Sequence, residues 1–155
     1  MRSASTLWIG VVLAAVLGGC VPPQDGRPGL GLRGEVAPAV PSDWSFTNEY
    51  REIAIEVHTP YLLPHSVTIW CGSADERLYV AARAPDTKRW PSWVDRDPNV
   101  RLEIGGEIYE VRLTPLDDPD EIVRVQRTYA VKYDLPPPPP EGGPPSRYWL
   151  VEPRG

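Results

Sequence analysis

Apolar and polar positions alternate through the middle of the chain, and the spacing changes twice along the way. EIAIEV, within the span Glu52 to His58, has the period of two that predicts a strand. SVTIWC (66–71) and RLYVAAR (77–83) predict two more, with turn chemistry in the intervening GSADE. Next comes VRLEI, then Gly105-Gly106, then EIYEV. A two-glycine turn pairs Ile104 with Glu107, Leu102 with Tyr109 and Val100 with Val111 on one face. The other face then sets Arg101 opposite Glu110, a charge match, so both faces of the hairpin agree on one register.

The period then lengthens. Asp118 is an N-cap candidate, Pro119 suits the first helical position, and Glu121 falls at capping-box spacing. Ile122, Val125, Tyr129 and Tyr133 follow at helical intervals and form one apolar stripe, which predicts a helix packed on the core. A shorter helical piece lies between the third strand and the hairpin. Trp90, Trp93 and Val94 share a face there, and Asp97 before Pro98 ends it. SRYWLVEP, near the C-terminus, predicts a last strand, Arg147 to Glu152, that returns to the main sheet. Six strands, one short connecting helix and one longer helix make an α+β domain.

Proline is concentrated at the two ends of this domain. VPPQDGRPGLGLRGEVAPAVPSD (21–43) has repeated Pro and Gly and no periodicity, which predicts a tether. As a flexible coil of about twenty residues it would reach roughly 25 Å. Pro136 to Pro140, followed by EGGPP, predicts a stiff polyproline loop over 136–145. The domain is therefore expected over 44–152, with that loop inside it.

The first nineteen residues carry one charge, Arg2, ahead of LWIGVVLAAVLGG, an apolar run too short for a typical spanning helix. They predict a signal peptide, 1–19. Leu17-Gly18-Gly19-Cys20 resembles the bacterial lipoprotein box, which implies a lipidated Cys20 and a membrane anchor at the N-terminus of a 20–43 tether. By the same resemblance, Val21 in place of aspartate directs the protein to the cell envelope: in a Gram-negative host, the outer membrane facing the periplasm. The alternative is an ordinary signal peptide with an incidental cysteine. With Cys20 lipidated, Cys71 is the only free thiol, and its apolar strand context predicts burial rather than nucleophilic chemistry.

The formal charge is −5, without a long basic run, which excludes nucleic acid as a partner. His58, His65 and Cys71 lack structural-zinc spacing, so no metal site is expected. Neither a G-x-S-x-G elbow nor a P-loop is present. One basic group does stand out: Arg83, Lys88 and Arg89 fall within seven residues just before the short helix. They suit an anion. The alternative is surface ion pairing with Asp75, Glu76, Asp86 or Asp95.

The order of ERLYVAAR, PDTKR, a short helix and DPNVRLEIGGEIYEVRLTPLDD resembles the flavin-binding split β-barrel superfamily. That group includes pyridoxamine 5′-phosphate oxidase-like and deazaflavin-dependent nitroreductase-like proteins. The resemblance covers roughly residues 44–135. It implies a small antiparallel split β-barrel, with Arg83, Thr87, Lys88 and Arg89 in the region that grips the cofactor phosphate. It also implies FMN as cofactor and a homodimer with flavin at the interface. Trp90-Pro91-Ser92-Trp93 with Pro98-Asn99-Val100 is similar to the deazaflavin branch. However, Thr59 to Ser66 replaces the Gly- and basic-rich turn of that branch and removes a cofactor contact, which ranks FMN ahead of deazaflavin. Three functions follow from the resemblance. One is an FMN-dependent oxidoreductase in the cell envelope, with its substrate unspecified. The second is a non-enzymatic envelope lipoprotein that uses the barrel as a binding scaffold for a protein partner; the altered 59–66 turn favours it. The third is haem binding through His58 or His65.

Overall fold

The computed structural model describes residues 23, 27–136 and 145–155. The expected signal peptide, Cys20 and nearly all of the polyproline loop lie outside the described residues. The strands are β1 (Glu35–Val36), β2 (Ile53–His58), β3 (Pro64–Ile69), β4 (Cys71–Ala74), β5 (Arg77–Arg83), β6 (Asn99–Ile104), β7 (Glu107–Pro115) and β8 (Ser146–Pro153). The helices are α1 (Trp90–Val94), between β5 and β6, and α2 (Pro119–Tyr133), between β7 and β8. Strand order is β3-β2-β6-β7-β8-β5-β4, antiparallel throughout, with β1 added in parallel on β7. The two ends of that order, β3 and β4, are joined in the chain by one residue, Trp70. A link that short brings the two edges together and curls the sheet into a barrel.

The α+β antiparallel barrel is as expected, and so is the register of the β6–β7 hairpin at all four predicted pairs. The strand count is eight rather than six, for two reasons. The predicted strand 66–71 begins earlier, at Pro64, and breaks at Trp70 into β3 and β4. There the chain changes edges, an event that an unbroken apolar pattern hides. Most of GSADE is strand; the turn itself is Asp75-Glu76, both at positive φ (51° and 63°), as a two-residue hairpin loop requires.

The second reason is a correction to the tether. From residue 27 the Pro/Gly-rich stretch lies on the barrel. Gly29 exchanges both backbone hydrogen bonds with Ser66 of β3, and the chain then crosses the outer face to form β1. Leu32 is buried against Ala54 and Ile108. Its N–H donates to Glu56 Oε2 at 2.6 Å. Gly34 permits the close crossing: a Cβ there would stand 2.6 Å from the Gly106 carbonyl oxygen. Composition predicted the lack of periodic structure correctly, but one well-placed leucine is enough to dock such a segment.

Three apolar clusters result. The barrel interior holds Ile53, Ile55 and Val57 of β2 with Leu78, Val80, Leu102, Val111, Leu113, Trp149 and Val151. On the far side of β5 and β8, Tyr79, Tyr148 and Leu150 meet Val125, Tyr129 and Tyr133 of α2. This is the predicted helical stripe, with Ile122 partly buried at its edge. Leu32, Ala54 and Ile108 form the third cluster, under the strap made by residues 29–36. Alternate residues of β2 thus face the interior and the strap, so all five from Ile53 to Val57 are buried. Glu56 is buried among them, where Arg101 Nη1 donates to its carboxylate at 3.1 Å.

Candidate functional site

β5 ends at Arg83, and Ala84 takes the left-handed conformation (φ 48°) to turn the chain into a 3-10 turn, Pro85–Thr87. Two of the predicted site residues hold this loop in shape. Thr87 Oγ1 donates to the Ala84 carbonyl at 2.7 Å, and Lys88 Nζ to the Arg83 carbonyl at 2.6 Å. Arg83, Lys88 and Arg89 are all exposed. The loop therefore gathers the four predicted residues and leaves two guanidinium groups projecting from it.

The alternative of surface ion pairing does not describe these side chains. Asp95 is taken by Arg147 in a bidentate pair (2.9 and 2.6 Å). Asp75 is taken by Arg124 at 3.3 Å. Among the described residues, Arg83, Lys88 and Arg89 make no ion pair with a carboxylate. The loop thus carries three basic side chains unpaired with any carboxylate, against one acid of its own, Asp86, a net positive patch on an acidic chain. Helix α1 adds little to it, because five residues align few peptide dipoles. Any anion affinity must come from the side chains.

Behind the loop, α1 is an anchor. Trp90, Trp93 and Val94 are buried, as their spacing predicts. Trp90 packs at 5.1 Å from Trp149 in the barrel core, and Trp93 meets His65 edge-on at 4.9 Å. Neither indole is presented to the surface. His65 sits at the start of β3 and titrates lower than usual, because burial and then the Arg89 charge disfavour its cation. His58, at the end of β2, is 2.6 Å from Asp97 Oδ2. Cys71 is a buried free thiol, as expected. Burial pushes its pKa up against the opposing charge of Lys132, whose Nζ lies 3.3 Å from the sulfur.

Two features were not anticipated. A cavity of about 210 Å³ opens between the end of α1, Pro98 and the Arg112–Pro115 end of β7. Trp149 lines it, and the buried Trp149 Nε1 has no hydrogen-bond partner among the described residues. Another cavity, about 230 Å³, lies at Pro41, Trp44, Glu76 and Leu150–Pro153. Neither includes the basic loop, and both are smaller than the roughly 300 Å³ from which small-molecule pockets usually start. Among the described residues no acidic, His or Cys cluster is arranged to hold a metal.

The fold defines a class. It is an α+β split barrel of the kind found in pyridoxamine 5′-phosphate oxidase-like proteins. A candidate pyridoxamine 5′-phosphate oxidase of Listeria innocua superposes with a TM-score of 0.52 at 16% identity, over 69% of this chain and 86% of that one. A candidate 5-nitroimidazole antibiotic resistance protein of Bacteroides thetaiotaomicron gives 0.57 at 12%, over 83% and 89%. A conserved hypothetical protein of Mycobacterium tuberculosis gives 0.56 at 19%, over 78% and 86%. Residues 47–138 match the family described as "Uncharacterized protein conserved in bacteria (DUF2255)", and the chain belongs to that family. No curated protein matches the chain.

Proposed function

We propose that this is a cell-envelope lipoprotein, anchored through Cys20, whose barrel binds a phosphate-bearing flavin at the β5–α1 loop. The observation that carries this reading is that Arg83 and Arg89 are exposed and in no ion pair among the described residues, on a loop whose shape Thr87 and Lys88 fix. The residues present suit the phosphate end of FMN. They do not suit the ring end within one chain, since both tryptophans of α1 face inward and neither cavity adjoins the loop. A second copy would have to supply the ring wall, so the reading includes a homodimer. No redox step is assigned to this chain's residues, and FMN stands ahead of the deazaflavin.

Titration of the purified full-length protein with FMN and with riboflavin, followed by flavin fluorescence, tests this. Quenching by FMN that is weaker with riboflavin is expected. Each charge-assisted hydrogen bond is worth about 1.5–3 kcal/mol, so Arg83→Ala or Arg89→Ala should weaken FMN binding by roughly tenfold or more and leave riboflavin unchanged. A protein that ignores both flavins, or binds them equally, rejects the reading. The second reading, a binding scaffold without cofactor, is favoured by the 59–66 turn, whose exposed Tyr61, Leu62 and Leu63 stand in place of the basic turn that the family resemblance leads one to expect.

A further inference from the structure

The tip of the β2–β3 hairpin is the most apolar exposed surface among the described residues. Tyr61, Leu62 and Leu63 are 69%, 95% and 62% exposed, and residues 59–64, Thr-Pro-Tyr-Leu-Leu-Pro, carry no charge. Three adjacent large apolar side chains held in water are unusual for a surface loop.

The tip is also held rigidly. Thr59 Oγ1 donates to the Leu63 carbonyl at 2.7 Å and accepts from the Tyr61 N–H at 3.2 Å. Leu62 has φ 61°, a left-handed conformation that leucine seldom takes. Below the tip, His58 is held to Asp97 and His65 is packed on Trp93. The hairpin thus presents its side chains from a braced stem.

The covalent chain says what covers them. The strap enters the barrel at Gly29, hydrogen-bonded to Ser66, three residues beyond the tip. At about 3.3 Å per strand residue, that is roughly 10 Å from Leu63. Cys20 lies only nine residues before Gly29, a maximum reach of about 30 Å even when fully extended. An anchor at Cys20 therefore keeps the end of the barrel that carries the tip close to the bilayer. Arg27, exposed two residues before Gly29, and Arg89, exposed at the start of the helix whose Trp93 packs on His65, add positive charge on the same side, which suits anionic headgroups.

We propose that Tyr61, Leu62 and Leu63 insert into the bilayer surface and fix the orientation of the anchored barrel. This rests on the reading of Cys20 as lipidated. The acyl chains already retain the protein, so the tip's contribution is direction: it turns the β2–β3 hairpin toward the lipid. An apolar tip buried at headgroup depth is a second membrane signal of the kind that complements a lipid anchor.

The test uses the full chain made in a bacterial host that acylates lipoproteins, reconstituted into phosphatidylethanolamine–phosphatidylglycerol vesicles. A polarity-sensitive fluorophore is placed at Leu62→Cys or, as control, at Val131→Cys. Val131 is 84% exposed on α2, whose Tyr129 and Tyr133 pack at Trp70, beyond the end of β3 away from the tip. Cys71 is buried and does not compete for label; wherever Cys20 is found unmodified, the labelling is repeated with Cys20→Ser so that the introduced cysteine alone carries the fluorophore. The expected result is a blue shift and quenching by lipid-borne spin labels at position 62, severalfold stronger than at 131. Equal solvent exposure of both positions in acylated, vesicle-bound protein overturns the proposal. So does a blue shift at 62 that appears without vesicles and grows with protein concentration, which would mean that the tip pairs with a second copy. Mass analysis of the N-terminal peptide tests acylation separately. An unmodified Cys20 with position 62 still entering lipid would reject the anchor and keep the tip. An unmodified Cys20 with position 62 in water would reject both.

Discussion

His58 Nδ1 lies 2.6 Å from Asp97 Oδ2, tying the end of β2 to the turn that follows α1. The same carboxylate accepts from the backbone N–H and side-chain amide of Asn99 through Oδ1, each at 3.0 Å. Burial opposes ionisation of Asp97, but these bonds outweigh it and hold its carboxyl below the usual range. The turn after α1 and the stem of the apolar hairpin are thus joined by a half-buried carboxylate and its partners, beside the Trp93–His65 packing.

Loss of Asp97 should be felt more than loss of His58. The ion pair is largely exposed, so His58→Ala should cost about 0.5 kcal/mol. Asp97→Ala also removes the two hydrogen bonds to Asn99 and should cost about 1–3 kcal/mol, read as a shift in the urea midpoint. The folded pKa of Asp97 lies below its unfolded value. Its contribution is therefore complete above the unfolded pKa and is lost as pH falls through the folded one.

Acid should also act through His65. Burial, then Arg89, lowers its folded pKa beneath the unfolded value of about 6.5. Between the two pKa values the unfolded chain binds more protons, so stability rises with pH across that window and falls on acidification. His65→Gln should flatten the stability profile there. An anion held by Arg89 would cancel the second cause, so the His65 pKa should rise when FMN binds, as followed by imidazole NMR signals. No change on saturation with FMN would place the ligand elsewhere.

Leu32 tests the strap. A buried leucine cut to alanine typically costs about 2–5 kcal/mol, and a thin outer layer that can relax belongs at the lower end. Leu32→Ala should lower the urea midpoint by about 2 kcal/mol equivalent, whereas Leu30→Ala, in the same stretch but exposed, should have little effect. Equal, negligible effects would mean that the strap does not hold in solution.

Glu121 illustrates where a local pattern misleads. Its spacing from Asp118 suggests a capping box, and Asp118 does cap α2, accepting from the Asp120 N–H at 2.9 Å. The Glu121 carboxylate instead accepts from Tyr79 Oη and Arg77 Nη1, both at 2.8 Å, with Arg124 at 3.7 Å. It joins the helix to β5. Glu121→Ala strands a buried hydroxyl and should cost about 1–3 kcal/mol. In Tyr79→Phe the same substitution should cost less, a coupling that a double-mutant cycle measures.

Gly72 should not tolerate a side chain. A Cβ there would stand 2.9 Å from Tyr129 Cε2. That ring is wedged between α2 and the barrel, its hydroxyl bonded to the Tyr79 carbonyl at 3.0 Å. Gly72→Ala should therefore cost about 1–3 kcal/mol through overpacking, seen in thermal melts with the secondary structure retained.

These cases show which features a sequence exposes. The β6–β7 register was legible because adjacent glycines fix the turn and both faces then had to match. Helix α2 was legible because Asp118-Pro119 marks its start and the aromatic stripe has the right period. The basic loop was legible as a group, but its lack of acid partners was not. That depended on Arg147 reaching Asp95 across 52 positions in the chain. The strap was hidden because a single leucine leaves no period. The break at Trp70 was hidden because the apolar pattern runs through it to Cys71, and β4 was hidden because Gly72-Ser73-Ala74 has turn chemistry.

The position of β8 governs the order in which the molecule can be finished. It lies between β7 and β5, so without it the sheet falls into two pieces, β3-β2-β6-β7 and the β4–β5 hairpin. A chain emerging from N-terminus to C-terminus therefore carries two unpaired strand edges until residues 146–153 have been made. Exposed edges of this kind invite pairing with other chains, and their partner is far away in sequence, which slows closure. Assembly of this barrel is accordingly a late, all-at-once event, and a chain stopped short of β8 should aggregate instead of folding in part.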